Sequence, residues 1–126
     1  MPETLIVDAA NVVGSRPDGW WRDRAGAARR LIDRIAAAVE GERLAGPVTV
    51  VLEGKARPAA AAATGPVRIV LASGSGDDTI VSVAGDAVGR GQRVTVVTSD
   101  RELTERVRRL GADTESPQRF LNQLQG

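Results

Sequence analysis

Acids recur in this chain where apolar runs end. Leu5-Ile6-Val7 runs into Asp8, with the carboxamide of Asn11 shortly after. Val48 to Leu52 ends at Glu53-Gly54, Val67 to Leu71 leads into Ser73-Gly74-Ser75-Gly76-Asp77-Asp78, and Val94 to Val97 leads into Thr98-Ser99-Asp100-Arg101. A buried strand has no use for a charge inside it, so each acid belongs at a strand's carboxyl end, where an open α/β sheet keeps its ligand crevice. In a parallel sheet those ends converge, which gathers Asp8, Asn11, Asp77, Asp78 and Asp100, with Glu53 beside them. Hard oxygen donors without imidazole or thiolate suit Mg²⁺ or Mn²⁺. Clustered carboxylates also repel one another, which raises their pKa values unless a cation offsets the charge. The cluster therefore reads as a metal site.

Each acid has an ordinary reading too. Ser99-x-x-Glu102 is a capping box, which makes Ser99 the start of a helix and lets the helix dipole explain Asp100; Ser75-x-x-Asp78 offers a similar cap. Glu53 is equally well a solvated strand end. Asp8 has the least to explain it structurally, because no helix is expected there. Trp20 and Trp21 supply two of the three aromatic rings and read either as a platform for an unpaired base or as a loop anchor with a half-exposed neighbour. Arg16, Arg22, Arg24, Lys55, Arg57 and Arg101 lie near strand ends and suit a polyanion's phosphates, whereas Arg29, Arg30, Arg34, Arg106, Arg108 and Arg109 read as solvated helix faces.

Composition removes whole classes of chemistry. The 126 residues include no cysteine, histidine or tyrosine, so thiol and imidazole catalysis and zinc sites are excluded for this chain alone. Catalysis must run on carboxylates, hydroxyls and arginines. A net charge of +1 gives no global attraction to nucleic acid, yet all cations but Lys55 are arginine, whose planar fork matches phosphate. The length suits one domain, residues 1–126. No signal-like or membrane-spanning apolar run occurs, which implies a cytoplasmic protein without a membrane partner. The Gly-rich Ser73 to Gly76 is no nucleotide loop: GxxxxGK[ST] is absent, and two acids would face the phosphates.

The elements that position these residues alternate. Val12 to Trp21 reads as a loop hanging off the first strand end. Arg22 to Glu40 places Ala28, Leu31, Ile32, Ile35 and Val39 at helical spacing. Lys55 to Pro66 is an Ala-rich connector, able at most to form a turn or two of helix. Asp78 to Val88 and Arg101 to Leu110 are helices, Ala112 to Glu115 a short edge strand and Pro117 to Leu124 a last helix. Alternating strands and helices predict an α/β fold, a mostly parallel sheet of four to five strands with helices on both faces.

Ile6-Val7-Asp8-Ala9-Ala10-Asn11-Val12-Val13, Val50 to Gly54, Gly76-Asp77-Asp78-Thr79-Ile80 and Val96 to Arg101, taken in order, resemble the NYN (YacP-like) branch of the PIN-like nuclease superfamily. Gly111-Ala112 followed by Phe120-Leu121 also fits. The resemblance implies a three-layer α/β/α domain and a Mg²⁺- or Mn²⁺-dependent ribonuclease. It matches Asp8, Asp77 and Asp100 to metal-site acids, Asn11 to their amide partner and Asp78 to a position that is often acidic. Glu53 departs from the family's usual Asp, and the loop after Asn11, with its Trp pair, is not matched to the family. The expected activity is hydrolysis of RNA, single-stranded by preference, at a carboxylate-bound metal that lowers the pKa of a water. Arg16, Arg22, Thr98, Ser99 and Arg101 are its expected phosphate or ligand-water contacts, and a homodimer is allowed. The rivals are a non-catalytic PIN-like binding module and a phosphohydrolase of small molecules.

Overall fold

The computed structural model describes residues 3–125. Five parallel strands form the sheet: β1 (Glu3–Asp8), β2 (Val48–Leu52), β3 (Val67–Leu71), β4 (Arg93–Val97) and β5 (Asp113–Glu115), in the spatial order β3-β2-β1-β4-β5. The helices are α1 (Ala9–Gly14), α2 (Arg24–Glu40), α3 (Gly76–Gly89), α4 (Arg101–Arg109) and α5 (Pro117–Leu124). Short 3₁₀ segments occupy Trp20–Arg22 and Gly54–Ala62.

Alternation along each strand builds two cores. Val7, Val50, Leu52 and Val97 face α1, α2, α5 and the 3₁₀ segment Gly54–Ala62, with Ile32, Ile35, Phe120 and Leu121 fully packed there. Ile6, Val51, Val94 and Val96 face the opposite way, onto Ile80 and Ala84 of α3 and Leu103 and Val107 of α4. This is the three-layer α/β/α arrangement that the alternation predicts. The strand order turns back at β1, since β2 and β3 lie to one side and β4 and β5 to the other. The crevice of such a sheet opens at that reversal, at the carboxyl ends. Asp8 ends β1.

Several boundaries differ from the sequence expectation. The stretch after Asp8 is helix α1 and not wholly loop, with Ala9 and Val12 buried. Six residues are too few to hold a helix alone, so packing against α2 and α5 sustains it. α2 begins at Arg24, because Asp23 caps it by accepting from the Gly26 N–H at 2.9 Å. The Ala-rich connector forms a longer 3₁₀ segment than a turn or two, with Ala59 buried. α3 starts at Gly76 on a Ser75 cap, and Gly111, at φ 99°, takes the left-handed turn after α4 that Gly adopts without strain.

Candidate functional site

Each candidate acid is set by the element that it caps. Asp8 is the N-cap of α1: its Oδ1 accepts from the Asn11 N–H at 3.4 Å, and its Oδ2 accepts from the Thr98 hydroxyl at 3.0 Å. A helix does begin there, which corrects the expectation that none would. Asp8 is only 6% exposed. Burial pushes its pKa up to about 6, the charges of Asp77 and Glu53 adding to the effect while the Thr98 and Asn11 bonds oppose it. The Asp77 pKa is raised as well, by desolvation first and then by the charges of Asp100 and Glu53, against the pull of Arg106. Among the described residues no hydrogen bond holds the Asp77 carboxylate.

Asp100, not Ser99, caps α4, its Oδ1 accepting from the Leu103 N–H at 2.9 Å. The capping box thus gives way to a plain Asp cap. Ser99 is taken instead by Asn11, whose Oδ1 accepts from the Ser99 N–H at 2.8 Å and from its hydroxyl at 3.0 Å. That bond ties α1 to the β4–α4 turn. Thr98, buried, accepts from the Asp100 N–H at 3.2 Å while donating to Asp8, so a single hydroxyl sets two of the acids.

Glu53 closes the ring of strand ends. Its Oε2 accepts from the Gly76 N–H at 2.8 Å, which pins the first turn of α3 and with it Asp77. Gly76 is buried so closely against this carboxylate that a Cβ would lie 3.1 Å from the Glu53 Cδ. Asp78 goes elsewhere: it is exposed and pairs with Arg106 of α4 at 3.0 Å.

A cavity of about 410 Å³ opens beside these acids. Ala9, Val13, Ala28 and Ala56 line it with Trp20 and Arg24, and Glu53 and Gly74 stand on the side of the acids. The Arg24 guanidinium lies 5.5 Å from the Trp20 ring centre, and Arg22 stands 5.9 Å from that of Trp21. Trp20 is half-buried and Trp21 is 53% exposed. On the far side of α1, Arg16, Arg30 and Arg34 share a smaller cleft of about 130 Å³ with Asp18. Arg30 and Arg34 are thus not simply scattered on a solvated face. Arg101 is exposed at the start of α4.

Sequence reasoning passed over Glu115. It ends β5, its backbone carbonyl accepts from the Thr98 N–H at 3.1 Å, and its buried Oε1 has no hydrogen-bond partner. Desolvation raises its pKa, with Arg119 opposing. The rule that found the other acids, an acid ending a strand, applies to it equally.

The whole of residues 5–126 matches the family model of the YacP-like NYN domain. The chain belongs to that family. Its membership supports a nuclease-like, RNA-related role. The fold is similar to the crystal structure of Rae1 (YacP) from Bacillus subtilis, with a TM-score of 0.77 at 20% identity over 96% of this chain and 72% of that one. A tryptophan-to-leucine mutant of the same Bacillus subtilis protein gives a TM-score of 0.75 at 22% identity, covering 98% of this chain and 75% of that one. Such identities speak for the fold. No curated protein sequence matches the chain.

Among the described residues, no three acids form a ready-made cation cage as the side chains stand. A Mg²⁺-type ion does not need one, since one or two carboxylates commonly hold it while water and substrate phosphates complete its shell. The charge of Asp77 acts on Asp8, and the donor set at the strand ends is all oxygen. These residues fit a divalent ion, and no helix among the described residues is long and apolar enough to cross a membrane.

Proposed function

We propose that this YacP-like NYN chain is a Mg²⁺- or Mn²⁺-dependent ribonuclease acting on single-stranded RNA. The observation that carries the reading is the burial of Asp8 at the centre of the sheet's carboxyl edge, within reach of the charges of Asp77 and Glu53. Holding carboxylates together in a desolvated place costs free energy that a structural cap would not need. A bound divalent ion offsets that cost.

Asp8, Asp77 and Asp100 would supply the ion's carboxylates, one or two of them directly and the rest of the shell filled by water and substrate oxygens, and the ion would supply an activated water and offset charge on the phosphodiester. Thr98 fixes Asp8 through Oδ2 and sets Asp100 through its backbone, so the two acids move together. Asn11 keeps the β4–α4 turn closed against α1 by accepting from Ser99. Glu53 holds Asp77 in place through the Gly76 N–H. No histidine is present, so a carboxylate oxygen of this cluster, or the ion itself, would have to manage the proton of the attacking water. Arg22 beside Trp21, Arg16 in the cleft on the far side of α1 and Arg101 at the start of α4 would serve the RNA phosphates.

Labelled single-stranded RNA incubated with Mg²⁺, with Mn²⁺ or with EDTA tests the reading. Cleavage should require the divalent ion, and Asp77→Asn should lower it by more than the roughly 10- to 100-fold that loss of an outer-shell partner costs a metal site. Cleavage that persists in EDTA, or a fully active Asp77→Asn, would remove the metal site. Turnover of mononucleotides with RNA untouched would make the protein a small-molecule phosphohydrolase.

A further inference from the structure

We infer that the cavity between α1, α2 and the Gly54–Ala62 segment takes one unstacked base of the RNA, held against Trp20 and Arg24 beside the phosphodiester that is cut. The choice of RNA as ligand rests on the ribonuclease reading. The place, shape and charge of the cavity supply the rest.

The place is continuous with the acids. Ala9, which follows Asp8 directly, forms one wall, and Gly74, in the loop that leads to Asp77, forms another. A nucleotide whose phosphate lies at the acids therefore has its base within reach of the cavity. The shape suits a flat ring. About 410 Å³ lies within the roughly 300–1,000 Å³ typical of small-ligand clefts, and the alanine walls leave the space open. Trp20 and the Arg24 guanidinium are both planar groups on which bases stack. Trp20 is seated rather than loose, since a Cβ on Gly14 would lie 3.5 Å from its ring.

Charge argues for a base over a phosphate. The Glu53 carboxylate stands in the wall and repels an anion. Its Oε2 is engaged by Gly76, while Oε1 takes no hydrogen bond among the described residues and can accept from a base N–H. Guanine, whose two-ring system stacks most extensively and whose Watson–Crick edge offers an N–H donor, is the base best served. Arg24 is exposed at the rim, where the flanking phosphate would lie.

The chain's own indoles make the test direct, because Trp20 and Trp21 are its only tryptophans and it has no tyrosine. In the Trp21→Phe variant, Trp20 alone reports. Titrated in EDTA with a short single-stranded oligoribonucleotide, its fluorescence should be quenched, more strongly by a guanine-containing oligomer than by one of uracil. An abasic oligomer of equal length should leave it unchanged. In the parent chain, Trp20→Ala should weaken binding about 5- to 150-fold, the loss that removing one stacking platform brings, and Trp20→Phe should recover most of it. Gly74→Leu adds bulk at the cavity where a Cβ meets nothing within 4 Å, so it should weaken binding with the melting temperature unchanged. A silent Trp20, or Trp20→Ala and Gly74→Leu binding like the parent, would overturn the inference. Cleavage with a silent Trp20 would leave the ribonuclease standing without this subsite. Base-dependent quenching without cleavage under Mg²⁺ or Mn²⁺ would keep the subsite and remove the hydrolysis.

Discussion

Asp8 answers two demands at once, as the cap of α1 and as a desolvated charge among other acids. Its sequence neighbours show only the second, since an acid after Leu5-Ile6-Val7 reads as a strand end while the Thr98 hydroxyl lies far along the chain. Glu115 was hidden for a related reason: a three-residue edge strand gives too short a pattern to draw notice to the acid that ends it. The two demands on Asp8 predict opposite outcomes for its substitutions. Asp8→Asn keeps an acceptor for the cap and a partner for Thr98 but removes the charge, so stability without metal at neutral pH should be equal or higher. Asp8→Ala loses the cap as well, which alone is worth about 0.5–2 kcal/mol. The pH dependence follows from the raised pKa. Between the ordinary value of 3.8 and the folded value of about 6, the folded chain keeps a proton that the unfolded chain has lost. Stability in EDTA therefore falls as pH rises through that window, by at most about 3 kcal/mol. Melting curves across this range should show the fall in the parent and a flatter profile in Asp8→Asn. An unchanged profile in Asp8→Asn would deny Asp8 its raised pKa.

At the scale of elements, the strands were legible because buried parallel strands are near-continuous apolar runs, and α2 and α5 because their apolar faces repeat at helical spacing. α1 was not. Ala9-Ala10-Asn11-Val12-Val13-Gly14 is short, includes two β-branched residues and ends in Gly, so its helicity comes from packing rather than from propensity. The caps erred where two polar residues competed. Ser99 suits a cap, yet Asn11 claims its N–H and hydroxyl, and Asp100 caps α4 one residue later. Glu53 shows how the residue that follows one strand positions a later helix, a long-range link that no local pattern contains. Glu53→Ala should cost about 0.5–1.5 kcal/mol by leaving the Gly76 N–H without its acceptor, whereas Glu53→Gln keeps an acceptor and should stay within about 0.5 kcal/mol of the parent. Urea denaturation of the two variants checks this. Equal stabilities would mean that Ser75 alone positions the start of α3.

For the whole molecule, a net charge of +1 hides a division between the two ends of the sheet. The carboxyl end holds the acids, with Arg22 and Arg24 beside the Trp pair and Arg16, Arg30 and Arg34 around a cleft next to α1. The amino end holds Arg68 and Arg90 around a separate cleft, and Arg93 faces Glu3. On the ribonuclease reading, an RNA drawn to the acids by a divalent ion would meet their negative field, and flanking arginines on the same end would offset it. Binding at that end releases counterions only where arginines meet phosphates. Each such contact with a single strand contributes roughly 0.7 to the slope of log K against log salt. Arg16→Ala, Arg22→Ala and Arg30→Ala should therefore each weaken RNA binding and lower the slope by about that amount. Arg90→Ala, at the opposite end, should leave both unchanged. Affinity measured in EDTA at several salt concentrations decides it, with cleavage removed from the readout. A slope lowered as much by Arg90→Ala as by Arg30→Ala would mean that the RNA does not lie across the carboxyl end of the sheet, and the crevice at Asp8 would lose its claim to the substrate.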